Sequence, residues 1–419
     1  MEHLELLDDY LDEYIKKWDF YGVVCVAKSG EIVVQKAAGF SSREFDVPNT
    51  SETRFTLGSM SKQFTAFAIM QLFDRGEIEL GNSANRYLPD NLQIDSRITV
   101  HQLLSHTSGL HNFYNFDEDF FGSYNRNSYC KQEYFDLFIN APLDSVPGTK
   151  FGYNNSNFNL LAWIVENLSG KPFDQYLSEN IFAPLDMRET ELDFGTNIIK
   201  NKAFPYDFHR DLVVRCQYYN EKFNIGCGAI VSNCVDLLKW NSCLKQRQLL
   251  SMRAYTEFFK CNLSDYCYGL ERKTIYGKQC YAHGGDHLGV MTYMLNFFDE
   301  DICVIILSNA GFGNQYKIGN SICDILFTGE YAKSTQPKTV ILTDEEIKKY
   351  EGVYLDRKIE LRLRDNKWEF IRFNVELHIP LRPIGNHQFI RTDCDQYQPY
   401  TLIEREDGNF EFFGYLKKR

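Results

Sequence analysis

The sequence predicts an α+β protein in which helices flank an antiparallel sheet and a helical insertion interrupts it, followed by a small all-β domain. Two observations indicate the first part. Short apolar strand-like segments lie before residue 58 and again from 271 to 330, whereas residues 59 to 270 have apolar residues at three-and-four spacing. A third observation, alternating apolar and polar residues after residue 340, indicates the second domain.

Composition narrows the class of protein. The chain has 419 residues, 44% hydrophobic and 24% charged, which is typical of a globular protein with two or three structural units. A formal charge of -12 offers no basic stripe, so nucleic acid and anionic membranes are not expected as partners. No stretch has the roughly 18 consecutive apolar residues of a membrane span.

The first element is predicted to be a helix. The start "MEHLELLDDYLDEYIKKW" is acidic, with Leu4, Leu7, Leu11 and Ile15 at helical spacing, the reverse of a cationic signal peptide. We therefore expect a cytoplasmic location, unless a leader has been trimmed. The 12 cysteines contain no C-x-x-C pair, which favours buried reduced thiols over a zinc framework.

Strand signals lie at both ends of the large domain. The segments "YGVVCVA" and "EIVVQKAAGF" flank the turn "KSG" and predict a hairpin. Later strands are predicted in "KQCYAHGG", "VMTYMLNFF" and "DICVIILSN", before the helical "GNSICDILF". Between the two groups, helices are predicted in "SKQFTAFAIMQLF", "VHQLLSH", "FNLLAWIVENLSG" and "CVDLLKWNSCLK".

A polar segment separates the two predicted domains. The stretch "TGEYAKSTQPKT" divides the chain into a domain at 1–330, a linker at 331–339 and a second domain at 340–419. In the second domain "KIELRLRDNKWEFIRF" alternates across an Asp365-Asn366 turn, and "HQFIRT", "YTLIERE" and "NFEFFGY" continue the pattern. These short strands predict a small, partly closed barrel.

One spacing of serine and lysine in the sequence indicates a candidate catalytic pair. The pattern Ser-x-x-Lys occurs at Ser59/Lys62, Ser128/Lys131 and Ser242/Lys245. Only Ser59 follows a glycine, Gly58, and opens a strongly apolar helix, so the other two pairs are interpreted as chance. Residues three apart share a helix face, which brings the Ser59 hydroxyl within reach of the Lys62 amine.

This spacing has two interpretations. A desolvated lysine is a base that can activate a serine, and a helix start supplies N–H donors for an oxyanion. Alternatively, Ser59 is an N-cap and Lys62 lays its stem on apolar surface while its ammonium reaches water. The segment alone leaves both open.

Five segments in order resemble a known family. They are "GSMSK", "ITVHQLLSHTSGL" at 98–110, "PGTKFGYNNSNFNLLAWIVENLSGKPF" at 147–173, "GCGAIVSNCVDLLKW" at 226–240 and "HGGDHLGVMTYMLNFFDEDICVIILSN" at 283–309. Together they resemble the serine β-lactamase and penicillin-binding-protein superfamily, in its class C-like branch with esterases and D-amino-acid peptidases. The resemblance covers roughly residues 10 to 330 and implies a β-lactamase/transpeptidase-like fold.

The resemblance also implies roles for individual residues. Ser59 would be the acylated nucleophile, and Lys62 would be its base or proton relay. Tyr153, in the Tyr-x-Asn motif "YNN", would share the proton transfers. Asn155 would hold Lys62 and the substrate amide by hydrogen bonds.

The third implied motif is His283-Gly284-Gly285, where the family has Lys-Thr-Gly or His-x-Gly beside the nucleophile. We expect Gly284 and Gly285 to leave room for a substrate backbone. The resemblance implies that the Asp286 main-chain N–H joins that of Ser59 in an oxyanion hole.

Two alternatives concern this motif. His287-Leu288-Gly289 also fits His-x-Gly, but His283 directly follows the strand-like "QCYA". The group His283, Asp286 and His287 is a conceivable metal site, yet the loop supplies no fourth ligand by sequence. We therefore expect neither a metal nor another cofactor.

Three further features of the sequence have functional and structural interpretations. Tyr218/Asn220 repeats the Tyr-x-Asn spacing without the surrounding motif and is not favoured, and His106 is interpreted as a residue that ties a loop by hydrogen bonds. The aromatic, polar loop "HNFYNFDEDFFGSYNRNSY" is long enough to wall a substrate pocket, with a surface loop of no role as the alternative.

The sequence thus predicts a serine hydrolase acting on a small-molecule or peptide substrate through an acyl-Ser59 intermediate. Histidine at 283 in place of lysine favours esters, amides or peptides over carboxylate-bearing β-lactams. Two alternatives stay open: an acyltransferase using the same acyl-enzyme, and a non-hydrolytic penicillin-binding or sensor scaffold. The sequence does not predict the oligomeric state.

Overall fold

A computed structural model gives the fold of most of the chain. It describes residues 3–18, 20–113, 130–209, 212–218, 220–311, 314–332, 337–354, 359–372, 377–392, 400–405, 409–412 and 415–416. Most of the aromatic loop at 111–129, together with Ser128 and Cys394, lies outside these ranges.

The described strands of the larger part are short except in one sheet. They are β1 (Gly22–Lys28), β2 (Glu31–Ala38), β3 (Phe40–Ser42), β4 (Val47–Pro48), β5 (Phe55–Thr56), β6 (Glu191–Leu192), β7 (Tyr206–His209), β8 (Leu212–Arg215), β9 (Ile230–Ser232), β10 (Glu271–Ile275), β11 (Lys278–His287), β12 (Val290–Phe297) and β13 (Ile302–Ser308). A six-stranded antiparallel sheet has the order β10-β11-β12-β13-β1-β2. It joins the two ends of the domain as the sequence predicts.

Helices pack on both faces of this sheet, and one further helix precedes the C-terminal strands. They are α1 (Leu4–Trp18), α2 (Lys62–Asp74), α3 (Val100–Leu104), α4 (Lys131–Ile139), α5 (Asn155–Ser169), α6 (Phe173–Leu177), α7 (Cys234–Gln246), α8 (Met252–Phe258), α9 (Gln315–Thr328) and α10 (Asp344–Tyr350). In the described ranges, no helix combines the length and the apolar character that crossing a bilayer requires.

Alternate residues of the sheet face two separate cores. Val24 and Val26 of β1 pack with α1 and α9, whereas Val23 and Cys25 pack in the larger core under α2, α5, α7 and α8. This follows from the period of two in a strand, which sends successive side chains to opposite faces. The helix α2 lies inside the larger core, with all residues from Lys62 to Phe73 buried.

The helical region predicted at 59–270 also contains strands. Strand β9 pairs with β5 and β6, and β7 pairs with β8 in a hairpin. These strands have two to four residues, too few to show an alternating pattern in the sequence. The β5–β9 pairing ends two residues before Gly58 and so positions the start of α2.

The C-terminal part forms an eight-stranded antiparallel sheet. Its strands are β14 (Gly352–Tyr354), β15 (Ile359–Arg364), β16 (Lys367–Arg372), β17 (Leu377–Gly385), β18 (Gln388–Arg391), β19 (Tyr400–Glu404), β20 (Phe410–Phe412) and β21 (Tyr415–Leu416). Each strand pairs with the next, and among the described strands no pairing joins β14 to β21. Asp365 and Asn366 make the predicted turn with φ of 50° and 61°.

These observations confirm the predicted fold class, an antiparallel sheet with helices plus an additional C-terminal sheet domain. The boundaries at 330 and 340 stay predictions. The C-terminal part is not purely β, because α10 precedes its first strand. A capping box between Thr343 and Glu346 stabilises this seven-residue helix, which is too short to give a clear helical period.

The cysteine prediction is wrong at one place. Cys261 and Cys267 form a disulfide, because a tight loop brings the two residues to a Cα separation of 4.2 Å. Of the nine described free cysteines, Cys130 is exposed and Cys216 is half-buried, while the other seven are buried as expected.

Candidate active site

Ser59 lies in a tight turn rather than in the first turn of an α-helix. Residues Gly58–Ser61 form a 3-10 helix, and α2 begins at Lys62. In 3-10 geometry residues three apart are eclipsed, so Ser59 and Lys62 face the same side. Gly58 has a φ of +55°, a left-handed conformation that glycine adopts without steric cost.

The Lys62 side chain is fully buried and hydrogen-bonded. Its Nζ lies 2.9 Å from Ser59 Oγ, 2.8 Å from Asn155 Oδ1 and 2.9 Å from the Cys227 carbonyl oxygen. The amine also lies 4.9 Å from the centroid of the Tyr153 ring. The alternative in which the lysine head reaches water is therefore wrong, since Lys62 has 0% exposure.

Burial favours the neutral amine of Lys62 over the ammonium form. In the described part of the chain, no carboxylate forms an ion pair with it, although many other lysines have such a partner. Desolvation disfavours the ammonium and lowers the pKa of Lys62 to about 8. Near neutral pH the free amine is therefore far more accessible than in an exposed lysine.

Tyr153 and Asn155 are positioned by the start of α5. The Asn154 side chain caps this helix by accepting from the Ser156 N–H at 2.8 Å. Tyr153 lies just before the cap, with its ring centroid 4.9 Å from Lys62 Nζ. Burial raises the pKa of Tyr153 well above its usual value, even though the residue is 37% exposed. Tyr153 is thus a proton-bearing phenol at neutral pH.

His106 contacts the segment that contains Tyr153 and Asn154. Its Nδ1 accepts a hydrogen bond from the Asn154 N–H at 3.1 Å, and its ring centroid lies 4.4 Å from that of Tyr153. Burial lowers the pKa of His106 well below its usual value, so the ring is neutral. The prediction that His106 ties a loop by hydrogen bonds is confirmed.

His283 lies on β11 beside the nucleophile. Its Nδ1 lies 2.6 Å from the Gly284 carbonyl oxygen, which only accepts, and its Nε2 lies 3.1 Å from the Tyr266 hydroxyl. These partners place the proton on Nδ1 and make Nε2 an acceptor. Burial, aided by the nearby Lys62, lowers the pKa of His283 to about 4. The ring is therefore neutral near pH 7, not partly charged.

The outer edge of β11 is open beside the site. Pairing with β10 runs from Lys278 to Ala282, opposite Ile275 and Glu271. From His283 onward, the described strands include no partner for β11 on that side. This part of the strand offers main-chain groups to an extended ligand.

The two glycines of this motif allow close packing of β11. A Cβ on Gly285 would lie 2.0 Å from the Leu57 carbonyl oxygen and 2.3 Å from Thr292 Oγ1, and one on Gly284 would lie 2.3 Å from the Tyr316 hydroxyl. Gly285 therefore lets β11 pack directly against the turn that carries Ser59, and Gly284 lets it pack against Tyr316 of α9. The room for a substrate backbone beside these glycines stays a prediction.

This close packing brings Asp286 to the nucleophile. Its main-chain nitrogen lies 3.4 Å from the position that a Cβ on Gly58 would occupy. The Asp286 side chain is exposed. The structure therefore places the main-chain nitrogen of Asp286 close to Gly58, and the oxyanion hole formed with the Ser59 N–H stays a prediction.

The alternative Tyr-x-Asn and His-x-Gly motifs have different surroundings from those of the favoured ones. Tyr218 is 54% exposed, and Asn220 caps the 3-10 helix Glu221–Asn224. His287 Nε2 lies 3.1 Å from Asn224 Nδ2, so it turns to a different partner from His283. The described residues contain no group of three or more His, Cys, Asp or Glu that could hold a metal.

Two contributions to the site escaped the sequence analysis. Tyr266 belongs to no motif, and only the fold brings its hydroxyl to His283. Cys227 lies in the family-like segment "GCGAIVSNCVDLLKW", and its carbonyl had no role assigned from the sequence. The preceding glycine is the sequence signal of a close approach there, since a Cβ on Gly226 would lie 2.0 Å from the Phe158 carbonyl oxygen.

Relatives of this chain include a penicillin-binding protein and a D-aminopeptidase by name. Penicillin-binding protein 4* of Bacillus subtilis (strain 168) is 25% identical over 440 residues, covering 98% of this chain and 95% of that protein. D-aminopeptidase of Brucella anthropi is 27% identical over 308 residues, covering 69% of this chain and 56% of that protein.

Solved structures share the fold. A penicillin-binding protein from Bacillus halodurans superposes with a TM-score of 0.63 at 25% identity, covering 73% of this chain and 95% of that one. The octameric penicillin-binding protein homologue from Pyrococcus abyssi superposes with a TM-score of 0.67 at 21% identity, covering 98% and 99%. The second likeness includes the C-terminal sheet.

The family assignment covers most of the chain. The model of the family described as Beta-lactamase matches residues 7–322, which include all the motifs from Ser59 to Asp286. This match confirms the resemblance seen in the sequence. The chain belongs to the Beta-lactamase family.

Proposed function

We propose that the protein is a serine hydrolase that cleaves an ester, amide or peptide bond through an acyl-Ser59 intermediate. One observation carries this proposal: the Lys62 amine is fully buried, without a carboxylate partner in the described chain, and lies 2.9 Å from Ser59 Oγ. A weakly nucleophilic hydroxyl next to a desolvated amine is an activated nucleophile.

The hydrogen bonds of Lys62 also orient its lone pair. Asn155 Oδ1 and the Cys227 carbonyl oxygen only accept hydrogen bonds, so they hold two N–H groups of the neutral amine. The third tetrahedral direction of Nζ, which then carries the lone pair, points at Ser59 Oγ. Lys62 is therefore arranged to accept the serine proton as attack begins.

Tyr153 is suited to the second proton transfer. Its phenol bears a proton at neutral pH, its ring lies beside the Lys62 amine, and the residue is 37% exposed, so a leaving group can reach it. In acylation, Ser59 Oγ bonds to the carbonyl carbon, its proton passes to Lys62, and Tyr153 donates a proton to the departing oxygen or nitrogen. Lys62 then reprotonates Tyr153, so the site is neutral overall.

Deacylation uses the same groups with water. Water adds to the acyl-Ser59 carbonyl, the carboxylic acid leaves, and a proton returns to Ser59 Oγ. In both steps the main-chain N–H groups of Ser59 and Asp286 would stabilise the negative oxygen of the tetrahedral intermediate.

The neutral His283 directs the choice of substrate. With its Nε2 accepting from Tyr266, the imidazole offers no permanent cation to a substrate carboxylate. Uncharged esters and amides are therefore favoured over β-lactams that carry a carboxylate. Because one relative is named a D-aminopeptidase, D-amino-acid amides belong in the same screen.

The test is covalent labelling with a fluorophosphonate probe. The wild-type protein, Lys62→Met and the control Lys245→Met are incubated with the probe and analysed by intact mass and peptide mapping. We expect Ser59 to attack phosphorus with loss of fluoride in the wild type and in Lys245→Met. Labelling should slow by about 100-fold or more in Lys62→Met, because the base is gone.

Two results would contradict the proposal. An unlabelled wild type, under conditions that label another serine hydrolase, would favour the non-hydrolytic scaffold. Equal labelling of Lys62→Met and wild type would remove Lys62 from the activation of Ser59. Circular dichroism of each variant confirms that the labelled samples are folded.

A further inference from the structure

A short segment, 204–207, lies between the main sheet and the C-terminal sheet. The Tyr206 N–H donates to the Asn309 carbonyl at 2.9 Å, and the Gly311 N–H donates to the Tyr206 carbonyl at 2.9 Å. Asn309 Nδ2 donates to the Phe204 carbonyl at 2.8 Å. These bonds fix the segment to the chain that leaves β13.

The β11–β12 turn rests against the same segment. Gly289, in this turn, has a φ of +67°, and a Cβ there would lie 2.8 Å from Pro205 Cβ and 2.8 Å from the Tyr206 nitrogen. The sulfur of Cys216, which follows the β7–β8 hairpin, would lie 2.6 Å from the same Cβ. Since Gly289 is three residues after Asp286, segment 204–207 backs the turn that follows the strand carrying the candidate oxyanion N–H.

The C-terminal sheet contacts the segment through a buried arginine. Arg391 of β18 is 7% exposed, its Nη2 lies 3.5 Å from Asp207 Oδ1, and its Nη1 donates to the Gly311 carbonyl at 3.4 Å. Asp207 in turn packs over Gly311, where a Cβ would lie 2.5 Å from Oδ2. A second contact joins the same elements, since the ring centroids of His209 on β7 and His378 on β17 are 4.8 Å apart.

We propose that the C-terminal sheet domain buttresses the oxyanion strand, with Arg391 as the positioning residue. The inference rests on the proposed function for its effect on catalysis, but not for its effect on the turn. Replacing Arg391 removes the contacts that join β18 to Asp207 and to the Gly311 carbonyl, so segment 204–207 would lose part of its support. A shift of segment 204–207 would pass directly to Gly289, and misplacement of a catalytic group by about 1 Å can cost about 100-fold in rate.

The test compares Arg391→Met with Arg382→Met. Arg382 lies on β17 of the same sheet, but its guanidinium donates to the Pro337 carbonyl at 2.5 Å and to Thr339 Oγ1 at 3.0 Å. For Arg391→Met we expect kcat to fall by about 10- to 100-fold with KM within about threefold, because the Asp286 N–H binds the transition state more strongly than the substrate. A boronic acid that adds to Ser59 should lose affinity by a similar factor. Arg382→Met should match the wild type in both.

Hydrogen exchange gives a readout that needs no activity. Amide exchange of residues 284–292 should be faster in Arg391→Met than in wild type, while exchange in β1, Gly22–Lys28, stays unchanged. If Arg391→Met does not fold, Asp207→Asn removes the charge from the other partner and should show the same pattern.

The outcomes separate the two proposals. A wild type with no turnover and no Ser59 labelling overturns the proposed function, and hydrogen exchange still decides the buttress. Unchanged exchange of 284–292 in Arg391→Met overturns the buttress, as does a loss of folded protein whose remaining fraction has wild-type kcat and boronate affinity.

Discussion

The chain places the same spacing, Ser-x-x-Lys, in two described environments with opposite properties. At Ser59/Lys62 the lysine is fully buried and its amine contacts the serine. At Ser242/Lys245, on the last turns of α7, the lysine is solvent-exposed and pairs with Asp301 at 2.5 Å. There the Ser242 hydroxyl accepts a hydrogen bond from Gln246 instead.

The difference shows that spacing alone does not create a reactive serine. Both pairs share a helical face, so both could meet. Only the first amine is fully buried without a carboxylate partner among the described residues, and its desolvation lowers the pKa of Lys62 to about 8. At the second pair Lys245 lies at the surface and contacts Asp301.

The largest expected effect is on turnover in Ser59→Ala. If Ser59 forms the acyl-enzyme, its removal should lower kcat/KM for a 4-nitrophenyl ester by at least about 1,000-fold, as for other serine nucleophiles. Ser242→Ala should keep the wild-type rate and serves as the matched control. Comparable rates for the two variants would contradict the role of Ser59.

The second expected effect is a rise of activity with pH. The free amine of Lys62 is the proposed base, so kcat/KM for an uncharged ester should increase about tenfold per pH unit below the pKa of about 8 and then level off. Between pH 6 and pH 9 the gain should be about 100-fold. The residual rate of Lys62→Met should lack this inflection; an identical profile in that variant would assign the inflection to another group.

The third effect concerns stability. Since the pKa of Lys62 falls from 10.5 to about 8 on folding, the unfolded chain binds more protons between these values, and the free energy of unfolding rises with pH there. The penalty, about 3 kcal/mol, is fully present below pH 8 and disappears above pH 10.5. Lys62→Met carries no such penalty. Its stability advantage over wild type, measured by urea unfolding, should therefore shrink by about 2 kcal/mol from pH 7 to pH 10. If the stability advantage of Lys62→Met stays constant over this pH range, folding does not lower the pKa of Lys62.

The smallest effect is expected from Tyr266→Phe. This change removes the donor to His283 Nε2 and leaves that nitrogen buried without its partner. We expect a loss of about 3- to 10-fold in kcat/KM, with folding intact. The control is Tyr276→Phe, because that hydroxyl donates to Asp324 at an exposed site. Equal effects of the two changes would show that the His283 contact is not specific.

Most of the fold could be predicted from the sequence. The hairpin around "KSG", the helices α2, α5 and α7, and the C-terminal strands all have apolar periods long enough to read from neighbouring residues. The shortest elements could not, because strands of two or three residues such as β5 and β9 are defined by pairing with distant segments. The seven-residue α10 was missed for a related reason, since it spans barely two turns.

The candidate site also has features that the sequence predicts and features that it does not. The positions of Ser59, Lys62, Tyr153 and Asn155 follow from motifs whose members lie within three residues of each other. Their environment does not, because the partners of Lys62 at Asn155 and Cys227 are 93 and 165 residues away. The packing of Gly285 on Leu57 likewise joins distant segments.

The sequence by itself therefore determined the order of the elements, the motif residues and the family, since these depend on local periodicity and on residue identity. The tertiary structure decided that Lys62 is desolvated, that His283 is neutral and that the C-terminal sheet reaches segment 204–207. These properties depend on burial and on the direction of hydrogen bonds. Both are set by groups that are remote along the chain and meet only after folding.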